Sequence, residues 1–550
     1  MELVLVGLPG SGKTAVGRRL ARARGADFVD VDANVEAAAG LSVADIFARE
    51  GEDGFRARER AAITALGPAE RGHRLSRVIA TGGGAVLDPA NRWRLYRGRR
   101  VVWLDAPAHV LAGRLAHSAV ARPLLAGRDP VRTLDELRAA RERFYAPAAR
   151  VEASGRADEI VPRLEPLLRG PASGGTRTLD ARTPIGRLVL GADVAEAALS
   201  ELLRGLEARR VALASEPTAW RLHGQRLASA LAAALPGTAF EPLLLPRGER
   251  AKSFRVVERA TRELARRHHE RRDPLVAIGG GAVTDAAGFV AAIYVRGVPL
   301  VQVPTTLLGQ LDAALGGKTA IDLPEGKNLV GAFHQAAGVV LDVAFLASLP
   351  ARQRRAALGE AVKMAVLGDE RLFALLETDG RAIAAGDPDA LASGALAELV
   401  ERCALAKAEV VAADEREANR RLTLNLGHSL AHALEAETAY RGLLHGEAVA
   451  LGLRGAIAVG LALGVTPPGR AARIKALLDE LDLGVRAPAV TPAAIRDRLA
   501  ADKKVAGGRL RWVLPTSDGV VIRADVPDDA VEAGLTAALR GAGQGDGRTP

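Results

Sequence analysis

The chain reads as α/β in class: a parallel-sheet domain, then a second α/β domain, then a mostly helical one. Three observations predict this. Short apolar runs alternate with helical stretches through residues 1–168, the spacing of βαβ units and hence of a parallel sheet. The same alternation restarts near residue 184, after a Gly/Pro/Ser-rich segment. Beyond Pro350 the apolar period becomes helical. At 550 residues the chain also exceeds one ordinary domain.

In the first domain, 1–168, strands are expected at Leu3–Val6, Phe28–Val31, Val78–Ala80 and Val101–Leu104. The run from Arg169 to Thr176 begins a linker, 169–183. The second domain, 184–346, has expected strands at Gly186–Leu190, Val211–Ala214, Leu275–Ile278, Leu300–Val303 and Val339–Leu341. The third, 347–540, is helical apart from a hairpin of Leu510–Leu514 and Val520–Arg523. The tail 541–550 is expected to be disordered. The apolar stretch Ala448–Val465 carries Arg454 and many small residues, which suits a buried helix rather than a membrane span.

Composition narrows the function. The hydrophobic fraction is 48% but aromatics are only 3%, which provides no stacking platform for single-stranded nucleic acid. The formal charge is +10, with cations scattered rather than gathered in a tail. That pattern points to anionic small-molecule substrates, not to nucleic acid or a membrane surface. Cys403 is the single cysteine, so neither an internal disulfide nor a C-x-x-C zinc site is expected. Met1 leads straight into an apolar strand, and a soluble, cytoplasmic protein is expected. Of 75 Lys and Arg residues, only nine are lysine. Arginine's planar fork replaces lysine poorly where a compact ammonium must reach one oxygen. The surviving lysines therefore mark candidate sites.

Gly7-Leu-Pro-Gly10-Ser11-Gly12-Lys13-Thr14 follows the first strand and opens a helix. It fits the phosphate-loop pattern, in which backbone N–H groups and the helix N-terminus cradle nucleotide phosphates. Lys13 is expected at the terminal phosphates and Thr14 at Mg²⁺. Asp30-Val-Asp32 ends the second strand near the loop's mouth, one carboxylate suiting Mg²⁺ and one an acceptor-hydroxyl proton. Gly82, Gly83 and Gly84 permit close approach of a ligand. Arg122-Pro-Leu-Leu125 falls in a lid, and Arg56 and Arg141 suit bidentate capture of a carboxylate.

In order, the phosphate loop, Asp30-Val-Asp32, Phe55-Arg56, Thr81-Gly-Gly-Gly84, Arg122-Pro-Leu-Leu125 and Arg141-x-x-x-Tyr145 resemble shikimate kinase over essentially this whole domain. The resemblance implies a P-loop kinase using ATP and Mg²⁺ to phosphorylate the shikimate 3-hydroxyl. It implies that Asp32 orients the acceptor, Arg56 and Arg141 bind its carboxylate, Asp30 assists Mg²⁺, and Arg122 stabilises the transferring phosphoryl. A related small-molecule kinase, such as a gluconate kinase, is the alternative.

In the second domain, a strand runs into Gly279-Gly280-Gly281 with Asp285 one turn on, and another ends in Thr305-Thr306. Glu249 and Lys252 precede a helix and suit ribose or nicotinamide groups. Further on, His428 and His432 share one helical face, and His445-Gly-Glu447 opens the apolar helix. Glu360 precedes them, with Lys363 nearly one turn on. Imidazoles plus a carboxylate suit Zn²⁺ with an open coordination position. Lys318, Lys327, Lys363, Lys407, Lys503, Lys504, Arg296 and Arg421 need anions if they share a site.

These segments, through Gly279-Gly-Gly-Ala-Val-Thr-Asp285, Tyr294-Val-Arg-Gly297, Pro304-Thr-Thr-Leu-Leu308, Gly316-Gly-Lys-Thr319, Gly326-Lys-Asn328, Gly359-Glu-Ala-Val-Lys363, Leu424-Asn-Leu-Gly-His428, His445-Gly-Glu447 and Asp502-Lys-Lys504, closely resemble 3-dehydroquinate synthase. The resemblance implies Zn²⁺ (or Co²⁺) on Glu360, His428 and His445, with His432 an active-site group. NAD⁺ would lie on Gly280, Gly281, Asp285, Thr305 and Thr306, helped by Glu249, Lys252, Asp312 and Lys327. The substrate would be 3-deoxy-D-arabino-heptulosonate 7-phosphate. Its phosphate would meet Lys318, Asn328, Arg296 and Lys503 or Lys504. Its other polar groups would meet Lys363, Lys407, Asn425, Arg421 and His432. The resemblance further implies a dimer through the synthase.

Thr284, Ala431 and Glu216 stand where this family more often has glycine, glycine and aspartate. Residues 184–346 would then be the NAD-binding domain and 347–540 the metal and substrate domain. The whole is expected to be a bifunctional enzyme whose two reactions are not consecutive in their pathway. The alternatives are another kinase fused to a related sugar-phosphate cyclase, or one half serving as a regulatory module.

Overall fold

A computed structural model describes the chain except residues 71, 73, 118–128, 170–174, 417–419, 485–489, 506–509 and 541–550, with side chains at 500–505 also left out. Arg122 and the tail expected to be disordered therefore lie outside the described residues, as do the side chains of Lys503 and Lys504. The chain forms two compact units, Met1–Arg182 with Leu188–Val194, and Thr183–Arg187 with Ala195–Pro550.

The first unit is built on β1 (Glu2–Val6), β2 (Asp27–Asp30), β3 (Arg77–Ala80), β4 (Arg100–Asp105) and β5 (Ala149–Glu152). Their order is β2-β3-β1-β4-β5, and every neighbouring pair is parallel. β1 is central and wholly buried, as its unbroken apolar run requires. Leu3, Leu5, Val78 and Leu104 pack against Val16 and Leu20 of the helix after the phosphate loop. This arrangement gathers the loops after β1, β2 and β3 at one sheet edge, where ligands of open α/β sheets bind. β5 is absent from the sequence expectation because only Val151 of its four residues is buried.

The segment expected to be linker holds instead a strand, β6 (Thr176–Thr183), followed by β7 (Gly186–Ala192). Thr176, Thr178, Leu179 and Ala181 are buried, and that near-alternation is a strand signal masked by the glycines before it. Then come β8 (Arg210–Ser215), β9 (Ala239–Leu244), β10 (Leu275–Gly279), β11 (Leu300–Pro304), β12 (Lys318–Leu323), β13 (Gly326–Phe333) and β14 (Gly338–Asp342). β14-β11-β10-β8-β9 are parallel neighbours in that order. β12 and β13 form a separate antiparallel hairpin. Registry pairs Gly279 with Pro304, so the glycine turn and the Thr305-Thr306 turn leave the sheet side by side.

The remainder is helical, with Ala351–Val366, Ala395–Ala413, His428–Glu437 and His445–Ala462 nearest the chemistry, and an antiparallel pair β15 (Trp512–Pro515) and β16 (Val520–Arg523). Helix His445–Ala462 is buried over most of its length, as its apolar sequence predicts. Among the described residues no helix is long and apolar enough to cross a membrane.

Candidate active sites

In the first unit the phosphate loop carries β1 into helix Lys13–Arg24. Gly10 and Gly12 have φ of 82° and 87°, a region side chains resist, and so the loop can wrap the helix N-terminus. Lys13 Nζ donates to the carbonyls of Gly7 and Leu8 at 2.9 Å each. The ammonium is thus held over the loop itself. Thr14 Oγ1 donates to Asp30 Oδ2 at 2.7 Å, which makes the two expected Mg²⁺ groups neighbours. Asp30 ends β2 and its side chain caps the next helix. Asp32 therefore stands in the first turn of helix Val31–Ala39, not at the strand end expected from sequence.

Gly82–Gly84 follow β3. A Cβ at Gly82 would lie 2.7 Å from Asp32 Oδ1 and 2.8 Å from Glu59 Oε1, and one at Gly84 would strike the Arg56 guanidinium. Arg141 Nη1 and Tyr145 Oη donate to Gly83 O at 3.0 and 2.7 Å. Gly83 itself packs on Pro9 of the phosphate loop. Asp32, Arg56 and Arg141 are brought together around one glycine turn beside that loop. Sequence reasoning missed Glu59, which is fully buried and accepts from Arg56 Nη1 at 2.8 Å. Burial pushes its carboxyl above the ordinary range, against the pull of Arg56. The i, i+3 spacing from Arg56 was the available signal.

In the second unit, Glu360, His428 and His445 each offer a ligand atom within 4.8 Å of the others. His428 Nε2 and His445 Nε2 both stand 3.3 Å from Glu360 Oε1. That oxygen is buried without a well-formed hydrogen bond. Leu426 O lies 3.1 Å from His428 Nδ1, and Glu435 Oε2 lies 3.2 Å from His445 Nδ1. Each outer nitrogen thus faces an acceptor, which favours Nε2 as the free lone pair. The donor set and the orphaned oxygen fit a divalent ion. His432 is the third imidazole, its ring centroid 5.3 Å from that of His428, and it is exposed to solvent. Glu435 was missed from sequence; it lies ten residues from His445, beyond any helical neighbour rule.

Lys363 Nζ stands 2.5 Å from Glu360 Oε2 and 4.0 Å from Asp312 Oδ1. Lys407 Nζ donates to Asp312 Oδ1 at 2.7 Å. Burial would raise the Asp312 carboxyl, but Lys407 and Lys363 outweigh it and hold it down at about 2. The glycine cradle lies on the same unit. A Cβ at Gly280 would meet Thr306 Cγ2 at 3.0 Å, a gap a backbone-hugging ligand fits only without a side chain there. Thr305 N donates to Gly279 O at 2.9 Å. Lys252 Nζ donates to Asp285 Oδ2 at 2.8 Å and to Asn328 Oδ1. Burial, only partly offset by Lys252, pushes the Asp285 carboxyl up to about 6. Lys327 Nζ stands 3.0 Å from Glu249 Oε1 and 3.6 Å from Glu435 Oε1.

Three family models match: 3-dehydroquinate synthase N-terminal over residues 242–356, 3-dehydroquinate synthase C-terminal over 357–505, and shikimate kinase over 9–164. The chain is 43% identical to the 3-dehydroquinate synthase of Symbiobacterium thermophilum over 337 residues, 61% of this chain and 92% of that protein. The chain belongs to the 3-dehydroquinate synthase family. A shikimate kinase domain precedes the synthase, so the chain is a fusion of two shikimate-pathway enzymes. It is also 44% identical to the synthase of Rhodospirillum rubrum over 340 residues, 60% of this chain and 86% of that protein. Among solved structures, 2-epi-5-epi-valiolone synthase from Streptomyces hygroscopicus subsp. jinggangensis 5008, with NAD⁺ and Zn²⁺ bound, aligns with TM-score 0.59 and 30% identity over 64% of this chain and 96% of that one.

The remaining synthase positions divide. Arg421 Nη2 donates to Gly316 O at 2.9 Å, beside the turn that presents Lys318. Lys318 is exposed at the start of β12, and its charge acts on Lys407. Asn328 has φ of 58° and donates its N–H to Asp322 Oδ1 at 2.9 Å. Asn425 ends the turn just before Gly427 and His428. Arg296 is exposed. Glu216, standing where aspartate is usual, caps the turn after β8 by accepting from Ala219 N at 2.7 Å.

Proposed function

We propose that residues 1–168 phosphorylate the 3-hydroxyl of shikimate from ATP and Mg²⁺, and that residues 184–540 convert 3-deoxy-D-arabino-heptulosonate 7-phosphate to 3-dehydroquinate and phosphate. NAD⁺ and Zn²⁺, or Co²⁺, are the proposed synthase cofactors; together they supply reversible hydride transfer and Lewis-acid polarisation of a ring hydroxyl. The observation that carries this reading is the joint placement of Glu360, His428 and His445 beside the Lys363–Asp312–Lys407 cluster. Lys363 and Lys407 offset Glu360 and Asp312, so a divalent ion held there would bring the surplus positive charge that an anionic substrate needs and a simple alcohol does not.

In the kinase, Lys13 neutralises transferred phosphoryl charge, Thr14 and Asp30 hold Mg²⁺, Asp32 orients the hydroxyl, and Arg56 with Arg141 holds the carboxylate. Gly82, Gly83 and Gly84 admit the acceptor. In the synthase, Glu360, His428 and His445 hold the metal, and His432 faces the substrate from the open side. Lys318, Asn328, Arg296 and Lys503 or Lys504 receive the phosphate; Lys363, Lys407, Arg421 and Asn425 receive the other polar groups. Gly280, Gly281, Asp285, Thr305, Thr306, Glu249, Lys252, Asp312 and Lys327 hold NAD⁺. The protein acts in the cytoplasm as a homodimer through the synthase, as the family resemblance implies.

Two assays on the purified chain test the reading: ATP consumption with shikimate, and phosphate release from the heptulosonate phosphate with NAD⁺ and Zn²⁺. No shikimate-dependent turnover sinks the kinase assignment; no phosphate release sinks the synthase. Two variants sharpen the assays. Gly82→Ala forces a methyl against Asp32 and Glu59, a displacement near 1 Å that should cost the kinase roughly 100-fold and leave the synthase untouched. Lys318→Arg should cripple phosphate release alone, whereas Lys475→Arg, on helix Pro468–Glu480, should be silent in both assays.

A further inference from the structure

Two helices carry Glu360 and His445, and something must set the distance between them. Arg352 lies on helix Ala351–Val366, about two turns before Glu360. Its Nε donates to Glu447 Oε1 and its Nη2 to Glu447 Oε2, both at 2.9 Å. Nη2 also donates to Gly442 O at 2.7 Å. Glu447 is buried, and its Oε2 accepts from Leu444 N at 2.8 Å, the residue just before His445. One guanidinium therefore grips both the turn that delivers His445 and the first turn of its helix.

The same two helices also touch through backbone. A Cβ at Gly446 would overlap Ala356 O, and a Cβ at Gly359 would overlap Gly446 O. Gly446 follows one metal-site residue and Gly359 precedes another. The glycines set how closely the helices approach, while the Arg352–Glu447 fork sets how His445 is turned within that contact. A bidentate fork fixes orientation as well as distance.

We propose that Arg352 and Glu447 are positioning residues, holding His445 against Glu360 at a metal-binding separation. The proposal rests on the metal reading of Glu360, His428 and His445. Arg352 is about half exposed, at 54% of its side chain, and Glu447 keeps the Leu444 N–H when the guanidinium is removed. Its loss should therefore appear in metal affinity before it appears in unfolding.

The test titrates the metal-free full chain with Co²⁺ alone, reading affinity by chelator competition and geometry by visible absorption. Arg352→Ala and Glu447→Gln should each weaken Co²⁺ roughly 10- to 100-fold, the range for partners that orient a metal-binding histidine, and change the spectrum. Arg352→Lys keeps the charge but not the fork, and should recover only part of the affinity. Shikimate-dependent ATP turnover and the thermal transition should stay near those of the unaltered chain. If Glu447→Gln loses helical structure, half-exposed Arg352→Ala decides alone. Unchanged affinity and spectrum in Arg352→Ala would overturn the proposal. Failure of the unaltered chain to bind Co²⁺ is a different result, which refutes the metal reading and the proposal with it.

Discussion

His445→Ala is expected to lose Zn²⁺ and phosphate release together, while shikimate-dependent ATP consumption continues. His445 Nε2 is one of two imidazole nitrogens facing Glu360 Oε1, and its other nitrogen faces Glu435. Removing Glu435 as orienting partner should cost roughly 10- to 100-fold in metal affinity; removing the ligand itself should cost more. The substitution also takes one imidazole from Glu360, a fully buried carboxylate that His428 and Lys363 continue to face. Metal content and the two activities, measured on one preparation, check the outcome. Equal loss of both activities would mean that the substitution unfolds the chain or that the two enzymes depend on each other.

Lys13→Met should be the mirror image: kinase activity lost, synthase retained. The Lys13 ammonium is buried on the loop by the Gly7 and Leu8 carbonyls, so it is already desolvated before phosphate arrives. A preorganised cation at a phosphoryl-transfer site acts without reorganising, and loss of one such group costs on the order of 10² to 10³ in turnover. Initial rates of ATP consumption at saturating shikimate would measure it. A loss confined to KM for ATP would place Lys13 in binding rather than in stabilising the transferring group.

Much of this was legible in the sequence because the informative residues are close together along the chain. The phosphate loop is one contiguous run, and its strand–loop–helix setting is local. The pair His428 and His445 was likewise visible, since a metal needs those residue types. What was illegible is pairing across the fold. Glu435 gains its meaning only when a turn brings it to His445, and Arg352 only when two helices lie side by side. Asp32 was placed on a strand end because Asp30 and Asp32 look alike in sequence; the structure separates them, as Asp30 spends its side chain capping the helix that holds Asp32. β12 and β13 were hidden because their residues read as ligand-binding motifs, and β6 because glycine-rich chain precedes it.

Lys327 joins two parts of the synthase across a β-hairpin. Its ammonium is shared between Glu249, on the proposed nucleotide side, and Glu435, behind His445. Any coupling it carries would be reciprocal: whatever factor the metal adds to nucleotide affinity, the nucleotide must add to metal affinity. On the proposed reading, the two cofactor sites would answer as a linked pair through one cation on a β-hairpin.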